Sequence, residues 1–205
     1  MKKSYYIAGI IFLSLSIIAA FSVPIIQIVK YQDILENGVA IKVKLAAFDP
    51  YDAFRGRFVA LDLDFGEYRL TKATPRDQIF PNNFRGVGLP VDIVLGKDKN
   101  GFAYIKDLSF DLNKTYDEDA IIIRGLQRYW QVTQEKENWH NIIALRPETH
   151  IKRFYMNEKL APEAEKALQN NKIREKSYAV IKIKNKIPVI ENIYIGDESL
   201  SDYLD

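Results

Sequence analysis

Hydrophobic and polar positions along the chain fall into distinct regimes. The first is an unbroken apolar run. From Tyr5 to Val29 there is no charged residue and one strongly polar one, Gln27, over about 25 residues. About 20 suffice to cross the hydrocarbon core of a bilayer, and a helix is the form in which such a run satisfies its own backbone in lipid. The pattern predicts a transmembrane helix over 5–29. Pro24 falls near its far end, where few downstream hydrogen bonds depend on it. Tyr31 to Asn37 is expected to extend the helix out of the membrane, and Gly38 suits the left-handed position that closes many helices.

Period two takes over beyond Gly38. In Val39–Phe48 the apolar Val39, Ile41, Val43 and Leu45 alternate with Lys42 and Lys44, and in Phe58–Phe65 Val59, Leu61, Leu63 and Phe65 oppose Asp62 and Asp64. Such alternation predicts half-buried strands, and successive strands tend to be neighbours in one sheet. Val87–Leu95 and Phe102–Phe110 flank a turn ending in Asn100-Gly101, and Ser177–Lys184 and Ile187–Ile195 flank Asn185-Lys186. Both read as hairpins. Ala120–Val132 is the longest β-like run, with Gly125 as a candidate bulge, and Ile142–Leu145 and Thr149–Tyr155 are short strand candidates around Pro147.

The intervening segments carry turn residues. Tyr68–Arg85 holds Pro75, Pro81 and Asn82-Asn83 and predicts a long surface loop, while Asn113–Asp119 and Gln134–Asn141 predict polar loops. Pro162–Asn170 predicts a short helix with proline in its first turn, and Asp197–Asp205 an acidic, loose tail. About eight strands and one short helix, with no strand–helix alternation, define a mainly β fold. Its parts are an N-terminus over 1–4, the transmembrane helix over 5–29, a juxtamembrane segment over 30–38, an antiparallel β-rich extracytoplasmic domain over 39–196, and the tail over 197–205.

Composition narrows the function. Hydrophobic residues are 47% and charged ones 27%, enough apolar material for a packed core. The chain has no cysteine, which excludes disulfides, thiol nucleophiles, cysteine zinc sites and a lipid-modified N-terminal cysteine. The net charge is +2, and without Lys2 and Lys3 the acidic and basic residues balance. That argues against a nucleic-acid partner, whose phosphates demand a basic surplus. Lys2 and Lys3 precede the apolar run, so the N-terminus is expected in the cytoplasm and the bulk of the chain outside it. A cleaved signal peptide, with Ala20-Phe21-Ser22 as its cleavage site, is the competing reading. The apolar run exceeds the 7–15 residues of a signal core, so a retained anchor is expected.

Candidate chemistry concentrates in the stretch from Asp49 to Leu61. Pro50 restricts Asp49 to extended backbone, Asp52 can cap a turn over Ala53–Arg55, and Gly56 gives the chain freedom to re-enter a strand. Arg55 can pin the turn against Asp49 or Asp52. The same residues admit a ligand site, since two carboxylates beside an arginine can bind a cation or split their pKa values. Both readings stand: a structural corner, and a carboxylate-based hydrolase or transferase using Asp49 and Asp52.

The pattern Asp49-Pro50-x-Asp52-x-x-Arg55-Gly56-x-Phe58-Val59-x-Leu61 resembles the signature of the GDYXXLXY family of bacterial membrane-anchored proteins. Arg153-Phe154-Tyr155-Met156-Asn157-Glu158, followed by Glu163 and Glu165, is similar to a second block of that family. The resemblance implies an N-terminal membrane helix followed by a β-rich extracytoplasmic domain, and no assigned reaction. This chain departs from the name motif. Arg57 stands at the family's Asp, Phe58 at its first Tyr and Leu63 at its last, which favours a structural role there. A weaker likeness to signal peptidases fails for want of a nucleophile, because no serine lies between Pro24 and Ala73.

His140 and His150 lack the convergent partners a metal needs, and Asp117-Glu118-Asp119 lacks the spacing of a calcium loop. Glu158, Glu163 and Glu165 suit a helix start. Tyr129, Trp130 and Trp139 suit either core or membrane interface. No phosphate loop, dinucleotide fingerprint or hydrolase elbow is present, and neither cofactor nor metal is expected. The expected role is an interaction or accessory module of an envelope membrane assembly, with the membrane and an integral membrane protein as partners.

Overall fold

A computed structural model describes residues 2–46, 58–66, 68–75, 88–135, 138–148 and 151–204, leaving aside the side chains of 2–8, 60, 70–75 and 127–148. Helix α1 (Lys2–Asn37) runs unbroken through Pro24 for 36 residues. Its stretch Gly9–Asn37 is long and apolar enough to cross a membrane, and the most apolar part of it is not buried. The end of the helix is different. Ile34 is buried, Lys184 Nζ donates to Asp33 Oδ1 at 2.6 Å, and Asn37 Nδ2 donates to the same oxygen at 2.9 Å. The helix therefore docks onto the domain by its last turns.

Twelve strands follow among the described residues: β1 (Val39–Ala46), β2 (Phe58–Ala60), β3 (Asp62–Asp64), β4 (Tyr68–Pro75), β5 (Leu89–Lys97), β6 (Ala103–Ser109), β7 (Ile121–Glu135), β8 (Asn138–Glu148), β9 (Arg153–Tyr155), β10 (Ser177–Lys184), β11 (Ile187–Ile195) and β12 (Glu198–Ser199). Helices α2 (Ala161–Gln169) and α3 (Asn171–Arg174) precede β10, and α4 (Leu200–Leu204) ends the chain. The first sheet has the order β12-β11-β10-β1-β3, the second β4-β8-β7-β5-β6, and β2 and β9 form a separate ribbon. All these pairings are antiparallel.

Alternation decides which faces are inside. Ile41, Val43 and Leu45 of β1 meet Ile181 and Ile193 of the first sheet and Val91, Ile93 and Ile123 of the second in one continuous core. Val59, Leu61, Leu63 and Phe65 all enter it, as their period predicts. Val39 shares their pattern but is 47% exposed, because it starts the strand at the helix junction. Ala161, Ala164 and Leu168, spaced by helical turns, bury one face of α2 against the same core.

The two sheets clasp each other through their hairpin tips. At the β5–β6 turn, Asp98 Oδ1 accepts the N–H groups of Asn100 and Phe102, and Gly101 sits at φ +81°. The carbonyl of Gly101 then takes the N–H of Lys42 at 3.1 Å, where β1 has no β3 partner. Reciprocally, the β10–β11 turn places Asn185 and Lys186 at φ 53° and 64°, and the carbonyl of Lys186 accepts the N–H of Arg124 at 3.2 Å. Arg124 lies just beyond the end of the β7–β8 ladder. Each tip satisfies a backbone donor that the other sheet leaves over.

Several expectations are corrected. Gly38 ends α1, with its N–H donating to Ile34 O at 2.8 Å, but not in the left-handed conformation. It is close approach that requires glycine, since a Cβ there would collide with Ile34 O and lie 3.1 Å from Ile183 N. Tyr68–Pro75 is strand β4 rather than loop; as an edge strand it tolerates Pro75 at its end. The rest of that expected loop, 76–87, lies outside the described residues. Of the polar stretch 134–141, the described residues are strand: Glu135 at the end of β7 pairs with Asn138 at the start of β8, and 136–137 lie outside the described residues. Ile142–Leu145 is the middle of the 11-residue β8, and Pro147 is admitted because β4 pairs only as far as Leu145. Gly125 pairs regularly with Val91, and the register shifts on the β8 side fall after it, from Gln127 onward. The C-terminal segment is ordered by Ser199, whose Oγ accepts the N–H of Asp202, and by Leu200, which is fully buried. Burying that leucine contributes on the order of 2 kcal/mol.

The second sheet curls until its edges meet: Tyr68 of β4 donates its hydroxyl to Asp107 Oδ1 of β6 at 3.3 Å. Burial first, then the Asp107 charge, pushes the Tyr68 phenol above its ordinary 10.0. A raised folded pKa means the contribution is complete below about pH 10 and is lost as pH rises through the higher value. Thermal melts across that range should show a steeper alkaline loss for the native chain than for Tyr68→Phe; equal slopes would refute the edge contact. Gly38→Ala should lower unfolding stability by about 1–3 kcal/mol, as overpacking does, in denaturant titrations of the detergent-solubilised chain.

Candidate functional site

The site begins with a charge that burial makes expensive. Asp92 of β5 is completely buried. An isolated carboxylate in such a place costs several kcal/mol unless it is paired and hydrogen-bonded. Two cations hold it. Arg124, its cross-strand neighbour on β7, presents Nε and Nη2 to Asp92 Oδ1, each at 2.9 Å. Lys186, from the tip of the other sheet's hairpin, donates Nζ to Asp92 Oδ2 at 2.6 Å. The triad therefore ties β5 and β7 of the second sheet to the β10–β11 turn of the first.

Lys186 occupies a left-handed position where a glycine would be cheaper by about 1 kcal/mol. Its side chain explains the choice: it reaches Asp92 at one end, and its ammonium also lies 5.1 Å from the centre of the Tyr116 ring. Lys114 sits 5.4 Å from the same ring and 3.4 Å from Asp107.

Both cations are anchored from behind yet remain accessible in front, with 43% of the Arg124 and 31% of the Lys186 side chain exposed. They open into a cavity of about 980 Å³. One wall is Lys152, Arg153, Phe154 and Tyr155; another is the apolar run from Ile187 to Ile190; Tyr31 of α1 closes a third side. Among the described residues, four cationic side chains and one carboxylate, Glu191, line this space. Glu191 lies 3.7 Å from Lys182. The arrangement suits an anion with an apolar body: fixed positive charge at the rim and aliphatic surface beside it.

The two sequence blocks that carry the family resemblance meet here. Phe58, Val59 and Ala60 of β2 pair with Tyr155, Phe154 and Arg153 of β9. Phe58 and Tyr155 rings touch edge to face at 5.8 Å, and the Arg153 guanidinium lies 4.8 Å from the Phe58 ring centre. Leu61, buried in the core, donates its N–H to Lys152 O at 3.0 Å. Stretches almost a hundred residues apart thus form one ribbon on the cavity wall. Glu158 stands apart from the ribbon, in the turn before α2, and Glu163 and Glu165 lie on α2, Glu163 in its first turn. Asp117–Asp119 forms a turn closed by Ala120 N–H to Asp117 O at 3.0 Å.

Asp49, Pro50, Asp52, Arg55 and Gly56 lie outside the described residues, as does His150. His140, Tyr129, Trp130 and Trp139 fall on β7 and β8, in the part described by backbone alone.

Asp92, Arg124 and Lys186 were not foreseen as site residues. A signal existed for the first two: one acid inside Leu89–Leu95 and one arginine inside Ile121–Leu126 are isolated charges in otherwise apolar strands. A lone charge there demands an opposite one nearby.

A long apolar helix leading into two clasped antiparallel sheets, with a basic-rimmed cavity where they join, defines a helix-plus-β-domain class of protein. Within it, the chain belongs to the GDYXXLXY protein family, whose model matches residues 20–186. That span contains both motif blocks and ends at Lys186, so it includes the whole Asp92 triad. No curated protein and no solved structure matches the chain.

Replacing Asp92 with Asn should cost about 1–3 kcal/mol, because Arg124 and Lys186 lose their buried counter-charge but can turn toward solvent. Equilibrium unfolding in denaturant checks this; a loss within error of zero would show that the triad does not bind the sheets together.

Proposed function

We propose that the protein is a single-pass, membrane-anchored accessory module of a bacterial cell envelope, presenting its β domain to an integral membrane protein on the extracytoplasmic side. The observation that carries this reading is the continuity of α1. The same helix that supplies the apolar span packs Ile34 into the domain and pairs Asp33 with Lys184. An anchor attached by a flexible tether would let the domain roam. This one holds the domain at a set height and orientation, which is useful when the binding partner is itself fixed in the membrane.

Further support comes from charge. Lys2 and Lys3 at the near end favour a cytoplasmic N-terminus, and the otherwise balanced chain offers no general attraction for polyanions.

Alkaline phosphatase fused to the C-terminus should be active in cells, and a fluorescent protein fused there and exported in unfolded form should be dark. Cross-linking in native membranes should trap a defined integral membrane protein through the β domain. The opposite reporter pattern would overturn the orientation, and recovery of the chain alone after repeated cross-linking would overturn the accessory role.

A further inference from the structure

We infer that the cavity between α1, β9 and the β10–β11 hairpin is a binding site for the phosphate headgroup of an anionic membrane lipid. The inference rests on the anchored reading above and adds a ligand to it.

Depth is the first support. Tyr31 lines the cavity and lies two residues past Val29, the last residue of the apolar run. At 1.5 Å per residue along a helix this is about 3 Å of rise. The headgroup layer on each side of a bilayer is roughly 5–7 Å thick. If the apolar run fills the hydrocarbon core, the cavity mouth lies within the headgroup layer.

Charge is the second. Arg124 and Lys186 are held in place by Asp92, which is fully buried, and both line the cavity with part of their side chains exposed. Lys152 and Arg153 add charge from the facing wall, against Glu191 among the described residues. The buried carboxylate offsets one positive charge, and among the described lining residues cations outnumber acids. Arginine forks and lysine ammonium groups are the usual donors to phosphate oxygens, and donors already fixed bind with less loss of entropy.

Shape is the third. Ile187–Ile190 provides aliphatic surface next to the cations, and Tyr155, 67% exposed, stands at the rim. An amphipathic aromatic at the rim is what an interfacial depth favours. A free phosphate would use the cations and leave the aliphatic wall in water. A lipid uses both, with its glycerol and upper acyl carbons against the hairpin.

The full-length chain, purified in a neutral detergent, can be tested by thermal shift against short-chain phosphatidylglycerol, phosphatidylcholine of equal chain length, and inorganic phosphate. Phosphatidylglycerol should raise the melting temperature saturably, and the other two should leave it within error. The paired substitution Lys152→Gln with Arg153→Gln lies on the exposed wall and leaves the triad intact. It gives up the Arg153–Phe58 contact, so binding is read as the shift from the variant's own lipid-free melting temperature, and phosphatidylglycerol affinity should fall by at least about tenfold. An equal shift with phosphatidylcholine, or with inorganic phosphate alone, would overturn the proposal, as would unchanged affinity in the paired variant. The anchored reading is scored separately by membrane fractionation: a chain that stays in the membrane but gives no lipid shift refutes the lipid site alone.

Discussion

One buried carboxylate governs the domain. Asp92 lies where no charge should be left unpaired, and its two partners come from opposite sheets. Apolar contacts bring the sheets together without specifying which residue faces which, since hydrophobic burial has no direction. A buried ion triad does have direction. It is satisfied only when the β10–β11 tip sits over β5 and β7, and the backbone bond from Arg124 to Lys186 depends on that same placement. The reciprocal bond between Lys42 and Gly101 fixes the other end. The core supplies the cohesion, while the triad and the two hairpin tips set how the sheets are aligned.

The same triad prepares the cavity. Cations held by water alone would lose conformational freedom when a ligand arrived, and Arg124 and Lys186 have already lost it in folding. The energetic cost of burying Asp92 and of placing Lys186 in a left-handed turn is thus spent in a location where charge geometry matters. The β2–β9 ribbon completes the cavity by bringing two distant sequence blocks into register, with Arg153 laid over Phe58.

Much of this was legible in the sequence, and the parts that were not share a cause. Period-two alternation identified a strand and its buried face in Ser177–Lys184 and in the described part of Val39–Phe48; in Phe58–Phe65 it identified the buried face, but the run divides at Leu61 into β2 of the ribbon and β3 of the first sheet. The apolar helix was read from length alone, and Asn100-Gly101 and Asn185-Lys186 announced their hairpins. Tertiary pairing defeated local reading elsewhere. Tyr68–Pro75 and the described residues of 134–141 are too polar or proline-marked to look like strands, yet edge position and ladder pairing make them so. In the acidic tail a serine cap and one leucine outweigh the charges around them. The pairing of the two motif blocks lay beyond reach of any single-sequence pattern, because register between distant strands leaves no local trace. Asp92 and Arg124 were visible as isolated charges, but only the fold shows that they face each other and that Lys186 joins them.

The rigid joint at the end of α1 has a mechanical meaning. A helix whose apolar length exceeds the local hydrocarbon thickness accommodates by tilting. Because Ile34 is buried in the domain, Asp33 pairs with Lys184 and Gly38 is crowded, a tilt of α1 would carry the domain with it. Over a domain tens of ångströms across, a tilt of about 20° moves the far end by roughly 10 Å. If α1 crosses a bilayer as proposed, bilayer thickness becomes a setting for where the β domain points, and the helix acts as a lever arm that converts a property of the lipid into the bearing of a protein surface.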